Sequence, residues 1–83
     1  MTDSAIRPVV YSTSWCPFSQ RLIHDLDRAG IAYYEIDVDR DEAAAEVVRS
    51  LNGGNRTVPT VVFPDGSSLT NPPVDEVVAR LAG

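Results

Sequence analysis

The chain contains no lysine, one cysteine and one histidine, and no apolar run approaching the ~20 residues that cross a bilayer. Each shortage removes a class of function. All seven basic residues are arginines, and twelve acidic residues outnumber them to give a net charge of −5. Without a basic patch nucleic-acid binding is not expected, because phosphate contacts dominate affinity there. One cysteine and one histidine cannot complete a four-ligand metal site within one chain, and one cysteine cannot close an internal disulfide. The opening stretch Met1 to Val10 has neither a basic n-region nor a long apolar h-region, so the expectation is a soluble, unprocessed protein with no membrane partner. An isolated thiol fits a reducing compartment, the cytoplasm, or a task for the thiol itself. With 83 residues the chain can bury one modest core, which implies a single domain over 1–83, with residues 1–7 as a loose tail; a monomer is the expectation, although the sequence does not fix the oligomeric state.

What is present reads as alternating strands and helices. Pro8 to Ser12 is short, β-branched and aromatic, a buried strand ending at Thr13 and Ser14. From Cys16 onward Phe18, Leu22, Ile23, Leu26 and Ala29 recur at helical spacing, with Pro17 welcome in the first turn and Gly30 as the stop. Ile31 to Val38 alternates as a second, half-buried strand. Asp39, with Glu42 completing a capping box, predicts the start of a second helix whose inward stripe is Ala43, Val47 and Leu51 with Ala44 and Val48, ended by Asn52 to Asn55. Thr60 to Phe63 and Ser67 to Leu69, joined by Pro64-Asp65-Gly66, predict a hairpin. A last helix follows Asn71, with Pro72 and Pro73 in its first turn and Val74, Val77, Val78 and Leu81 on one face. The order β-α-β-α-β-β-α implies an α/β fold: a mixed four-stranded sheet covered by three helices, its first two strands joined by a right-handed parallel crossover.

The chemistry concentrates at the first strand-to-helix junction. A sulfur at Cys16 meets unsatisfied amide N–H groups and the positive end of a helix dipole, which stabilises a thiolate and makes it nucleophilic near neutral pH. Ser19, one turn later, can donate a further hydrogen bond to it. Such junctions lie at the carboxyl end of the sheet, where open α/β sheets bind ligands, and Trp15, Pro17 and Phe18 would form an exposed apolar rim. A buried Cys acting as a small hydrophobe is the plain alternative, and the position argues against it. Thr57-Val58-Pro59 precedes the third strand, where a proline inside the ladder would cost a hydrogen bond. A trans Pro59 at a strand start is the common case; a cis Val58–Pro59 bond would leave the Val58 N–H and C=O open to a ligand's backbone. His24 lies roughly two turns from Cys16 on the same helix, too far to pair with it, and reads as solvated. Asp37, Asp39, Asp41 and Glu42 lack the spacing and glycine of a calcium loop and read as a strand end plus a helix cap. Tyr11, Tyr33 and Tyr34 read as core and sheet-face residues.

The string Tyr11-Ser-Thr-Ser-Trp15-Cys16-Pro17-Phe18-Ser19, the later Thr57-Val58-Pro59 and the element order resemble glutaredoxins of the thioredoxin superfamily over nearly the whole chain. Trp15-Cys16 with Asn52 to Thr60 and Asp65 to Pro72 looks in particular like the actinobacterial mycoredoxins, which use mycothiol in place of glutathione. This resemblance implies a thioredoxin fold, Cys16 as nucleophile, a cis Pro59, and Val58 hydrogen-bonded to the cysteine portion of the thiol, with Trp15, Pro17, Phe18, Arg56 and Thr57 around it. It implies no tightly bound cofactor, mycothiol as co-substrate and S-mycothiolated proteins as partners. Two departures from glutathione-using members, and a third from dithiol members, refine the expectation. Thr70-Asn71-Pro72-Pro73 stands where they carry a Gly-Gly-x-Asp stretch, and Thr13 stands where they carry lysine. Both changes remove groups that would hold glutathione's carboxylates, which suits an uncharged, sugar-bearing thiol with Thr70 and Asn71 as contacts. Ser19 occupies the position of the resolving cysteine, and whether nature or substitution put serine there, it cannot close an internal disulfide. The implied cycle is therefore monothiol: reduction of protein–mycothiol mixed disulfides through Cys16. The alternative is the cluster-binding kind of monothiol glutaredoxin, which shares an iron–sulfur cluster between two protomers. Against it, Pro17 stands where those members usually have glycine, and their insertion before the cysteine is missing.

Overall fold

Strand β1 (Val9–Ser12) runs through the middle of the sheet, with Val10 and Ser12 fully buried on one face and Val9 and Tyr11 partly covered on the other. The computed structural model describes residues 7–82. Helix α1 (Pro17–Arg28) follows, then β2 (Tyr34–Asp37), α2 (Glu42–Leu51), β3 (Thr60–Val62), β4 (Ser68–Thr70) and α3 (Val74–Ala82). The sheet order is β2-β1-β3-β4. β1 pairs parallel with β2 and antiparallel with β3, and β3 pairs antiparallel with β4. This is the mixed sheet with three helices that the alternation of patterns predicts.

Two apolar clusters hold the layers together. On one face Val10 and Val61, paired across β1 and β3, pack with Leu22 and Leu26 of α1, Val77 of α3 and Phe63. On the other, Val38, Ala44, Ala45 and Val48 pack with Tyr11, Ile36 and Val58. The site's location follows from strand direction. Register pairs Tyr11 with Thr60, Thr60 with Thr70, and Ser12 with Asp37. The end of β1, the end of β2, the start of β3 and the end of β4 therefore share one edge of the sheet, and segments distant in sequence meet there.

Local details depart from the sequence reading in three places. The second strand is shorter than Ile31 to Val38, because Gly30 (φ 72°) ends α1 and Ile31 N–H turns back to Leu26 C=O at 3.0 Å, with Gly30 N–H on Asp27 C=O at 3.1 Å. Ladder pairing begins only at Tyr34, which is also exposed instead of buried in the core. The α2 cap is Asp41, not Asp39: its carboxylate accepts from Ala44 N–H at 3.1 Å, while Glu42 turns outward to Arg49. The inward stripe is Ala44, Ala45 and Val48, leaving Ala43, Val47 and Leu51 exposed. Small residues face the sheet here because Tyr11, Ile36 and Val58 already fill that layer. The loose tail expected for 1–7 lies outside the described residues except at Arg7, whose guanidinium stands 5.5 Å from the Tyr34 ring centroid.

Asp41→Ala should lower the unfolding free energy by about 1 kcal/mol, the ordinary cost of a lost side-chain cap, and loosen amide protection in the first turn of α2. Asp39→Ala should leave that protection unchanged. Urea melts and hydrogen exchange on both variants check the assignment.

Candidate active site

Cys16 is the N-cap of α1, in extended conformation, and its carbonyl accepts the first helical bond from Gln20 N–H at 3.0 Å. Pro17 follows at the position where a missing N–H costs nothing. The Gln20 side chain donates to Thr13 C=O at 2.9 Å and ties down the loop between β1 and α1. Cys16 is only 7% exposed. Burial pushes its thiol pKa up, but the backbone N–H of Ser19, the Ser19 hydroxyl and the backbone N–H of Phe18 together outweigh that and hold it below the ordinary value of 9.0. Ser19 is fully buried, and its Oγ makes no hydrogen bond among the described residues, which leaves the hydroxyl free to turn to a thiolate.

Across from the sulfur stands the segment leading into β3. The Val58–Pro59 bond is cis, and Val58 C=O lies 3.9 Å from Cys16 Sγ, within reach of a weak bond from the thiol. Among the described residues Val58 N–H makes no backbone hydrogen bond. Thr60 Oγ1 donates to Thr57 C=O at 2.7 Å, and Asn71 N–H donates to Pro59 C=O at 2.7 Å. Asn71 adopts φ 49°, a left-handed conformation asparagine tolerates better than most side chains. Asn52 braces this side, donating to Thr60 Oγ1 at 3.1 Å and accepting from Thr70 Oγ1 at 2.6 Å.

The rim is apolar and exposed, with Trp15 at 69% and Phe18 at 62%. Trp15 Nε1–H donates to Asp39 Oδ2 at 2.7 Å, and Arg56 Nη2 donates to Asp39 Oδ1 at 2.7 Å and to Val38 C=O at 3.4 Å. These bonds, Arg56's foremost and Trp15's next, hold the Asp39 carboxyl below the usual carboxylate range. A hollow of about 380 Å³ opens beside Phe18 and Asn71, between the first turns of α1 and α3. A larger one, about 450 Å³, lies at the other end of the sheet around Phe63, Gly30 and Arg80 and holds none of the residues expected in the site.

The structure thus gathers at one edge Trp15, Cys16, Pro17, Phe18 and Ser19, then Arg56 to Pro59, then Thr70 and Asn71. Sequence reading missed Asp39 and Asn52, assigning one to a helix cap and the other to a helix stop. The signal for Asp39 was its place just past the end of β2, which parallel pairing with β1 brings alongside the Thr13 to Cys16 loop. His24 is exposed, as its position on α1 implied.

The glutaredoxin sequence profile matches residues 9–68. The glutaredoxin-like protein Rv3198A of Mycobacterium tuberculosis is 58% identical over 72 residues, covering 87% of this chain and 86% of its own. Mycoredoxin 1 of Corynebacterium glutamicum is 50% identical over 72 residues, covering 87% and 89%. Among solved structures, a glutaredoxin of Archaeoglobus fulgidus superposes with a TM-score of 0.78 at 24% identity, covering 96% of this chain and 90% of that one, a likeness of fold.

The thiolate's support from Ser19 has a direct consequence. Removing a donor to the anion destabilises only the deprotonated form, so Ser19→Ala should raise the Cys16 pKa and slow alkylation at neutral pH. The pH profile of iodoacetamide reaction measures it: the wild-type midpoint should lie below 9.0 and the variant's above the wild type's.

Proposed function

The chain belongs to the glutaredoxin family, and from that premise we propose that it reduces protein–mycothiol mixed disulfides by a monothiol cycle through Cys16. One observation carries the reading: a single activated thiol caps α1 with the Val58 carbonyl 3.9 Å away and a serine, not a second thiol, one turn on. A second cysteine would permit an internal disulfide; serine leaves an external thiol as the resolving partner.

The steps follow from thiol–disulfide exchange. The Cys16 thiolate attacks the mycothiol sulfur of the mixed disulfide; a Cys16–mycothiol bond forms, the old sulfur–sulfur bond breaks, and the protein thiolate leaves and takes a proton from solvent. A second mycothiol thiolate then attacks the mycothiol sulfur held on Cys16. Mycothiol disulfide departs, and Cys16 returns as the thiolate, ready to attack again. Across the cycle, the mixed disulfide and one incoming mycothiol thiol become protein thiol and mycothiol disulfide, so the incoming thiol is the reductant. Amides of Phe18 and Ser19, with the Ser19 hydroxyl, stabilise Cys16 both as attacker and as leaving group.

Binding falls to the groups around the sulfur. Val58 C=O, which faces the thiol at rest, accepts an amide N–H from the cysteine portion of the bound thiol, and Val58 N–H donates in return. Thr57, Thr70 and Asn71 offer hydroxyl, amide and backbone groups to a sugar, and Arg56 and Trp15 close the opposite side. Pro17 and Phe18 present the apolar surface that meets the protein substrate. Mycothiol serves as co-substrate, not as a resident cofactor, and the reducing cytoplasm is the setting such chemistry requires.

With matched mycothiol and glutathione mixed disulfides of one peptide, kcat/KM should favour mycothiol by about tenfold or more, ~1.4 kcal/mol in transition-state binding. Cys16→Ala should abolish turnover of both. A preference for glutathione would overturn the reading while leaving the fold untouched.

A further inference from the structure

We propose that Asp39 is a positioning residue that sets the charge selectivity of this site, holding Arg56 and Trp15 together so that thiols and disulfides without free carboxylates are accepted and anionic ones disfavoured. The inference deepens the functional reading above and rests on it for the identity of the natural co-substrate only.

Two segments distant in sequence converge on the Asp39 carboxylate. Asp39 Oδ2 accepts from the Trp15 indole and Oδ1 from the Arg56 guanidinium, both at 2.7 Å. Trp15 immediately precedes the nucleophile, and Arg56 stands two residues before Val58, whose carbonyl lies 3.9 Å from the sulfur. Left to itself, Arg56 would present a bidentate site for carboxylates. Asp39 neutralises that charge through one contact, its Oδ1 on Arg56 Nη2. An approaching anion meets an ion pair in place of a cation, and the field of a contact pair falls off much faster than that of a single charge.

Other charges near the cleft lean the same way. The charged residues lining the hollow beside Phe18 are Arg21, Asp25 and Asp75, one base against two acids. Arg40, which follows Asp39, turns to Asp37 at 3.8 Å. The whole chain carries −5. The thiol therefore sits in a neutral to acidic setting although its amides favour an anion at the sulfur, a combination that admits a neutral carrier of a reactive sulfur and repels a charged one.

The ratio of Cys16 alkylation by iodoacetate to that by iodoacetamide tests this without any natural thiol, since the thiolate fraction cancels. Asp39→Ala and Asp39→Asn should each raise the ratio by about three- to tenfold at low ionic strength, and the rise should shrink as salt screens it. Arg56→Ala should lower the ratio below wild type, by leaving Asp39 uncompensated, and should cancel the gain when combined with Asp39→Ala. Trp15 is the chain's one tryptophan, so its emission reports the contact: Asp39→Ala should shift it, and Asp39→Asn, which keeps an acceptor for the indole, should stay nearer wild type. Kinetics with the two mixed disulfides should move in parallel, kcat/KM for glutathione rising relative to mycothiol mainly through KM. An unchanged alkylation ratio in both Asp39 variants, or an Asp39→Ala/Arg56→Ala double variant whose ratio stays well above wild type, would overturn the proposal even if wild type prefers mycothiol. A wild-type preference for glutathione alongside the expected ratios would instead sink the mycothiol reading and leave Asp39's role standing.

Discussion

A sulfur anion solvated by backbone amides is the interaction around which this molecule is arranged. Burial alone would drive Cys16 toward the neutral thiol and make it inert. The first turn of α1 reverses that balance because its amide N–H groups have no helical partners and the sulfur stands where they point. Pro17 helps by adding a residue that needs no partner of its own and sets the helical φ from the first position. Ser19 adds a hydroxyl that makes no competing hydrogen bond among the described residues. A reactive thiol here is thus a property of local backbone geometry more than of neighbouring charge.

Everything else at the site is supplied by sheet topology. β1 and β2 are parallel, so their carboxyl ends coincide; β3 runs the other way, so its start joins them, and β4 returns to finish beside them. Four connections meet at one edge as a result, each delivering one piece: thiol and rim, Asp39, the Val58 backbone, and Thr70 with Asn71. Asn52 and Asp39 act as braces between these pieces, since each hydrogen-bonds to residues of more than one segment. The apolar clusters on the two faces keep the strands in register and so keep the pieces within reach of each other.

The disagreements between pattern and structure have a common origin. Asp39 and Asp41 are equally good caps by residue type, and the choice between them depends on where the chain leaves β2 and what waits there. Asp37 accepts from Asp39 N–H at 2.9 Å and carries the chain through a turn, which delays the helix until Glu42. Asp39 is then released to face Trp15 and Arg56. The inward face of α2 is chosen in a similar way: apolar residues occur on more than one face, and the large side chains already present beneath the helix select the alanines. Tyr34 is a strand residue as its sequence pattern implies, but it lies on the edge strand β2, where it is exposed.

The amino-acid sequence by itself determined the alternation of strands and helices, the stop at Gly30, the hairpin turn and the placement of a lone cysteine at a helix start. These depend on periodicity, on residues with restricted backbone choices and on groups a few positions apart. Tertiary structure decided which aspartate caps α2, which side of that helix is buried, the cis geometry before β3, and the meeting of Trp15, Asp39 and Arg56. Those outcomes depend on contacts between residues far apart along the chain, whose partners are fixed only once strand direction and register have brought them to the same edge.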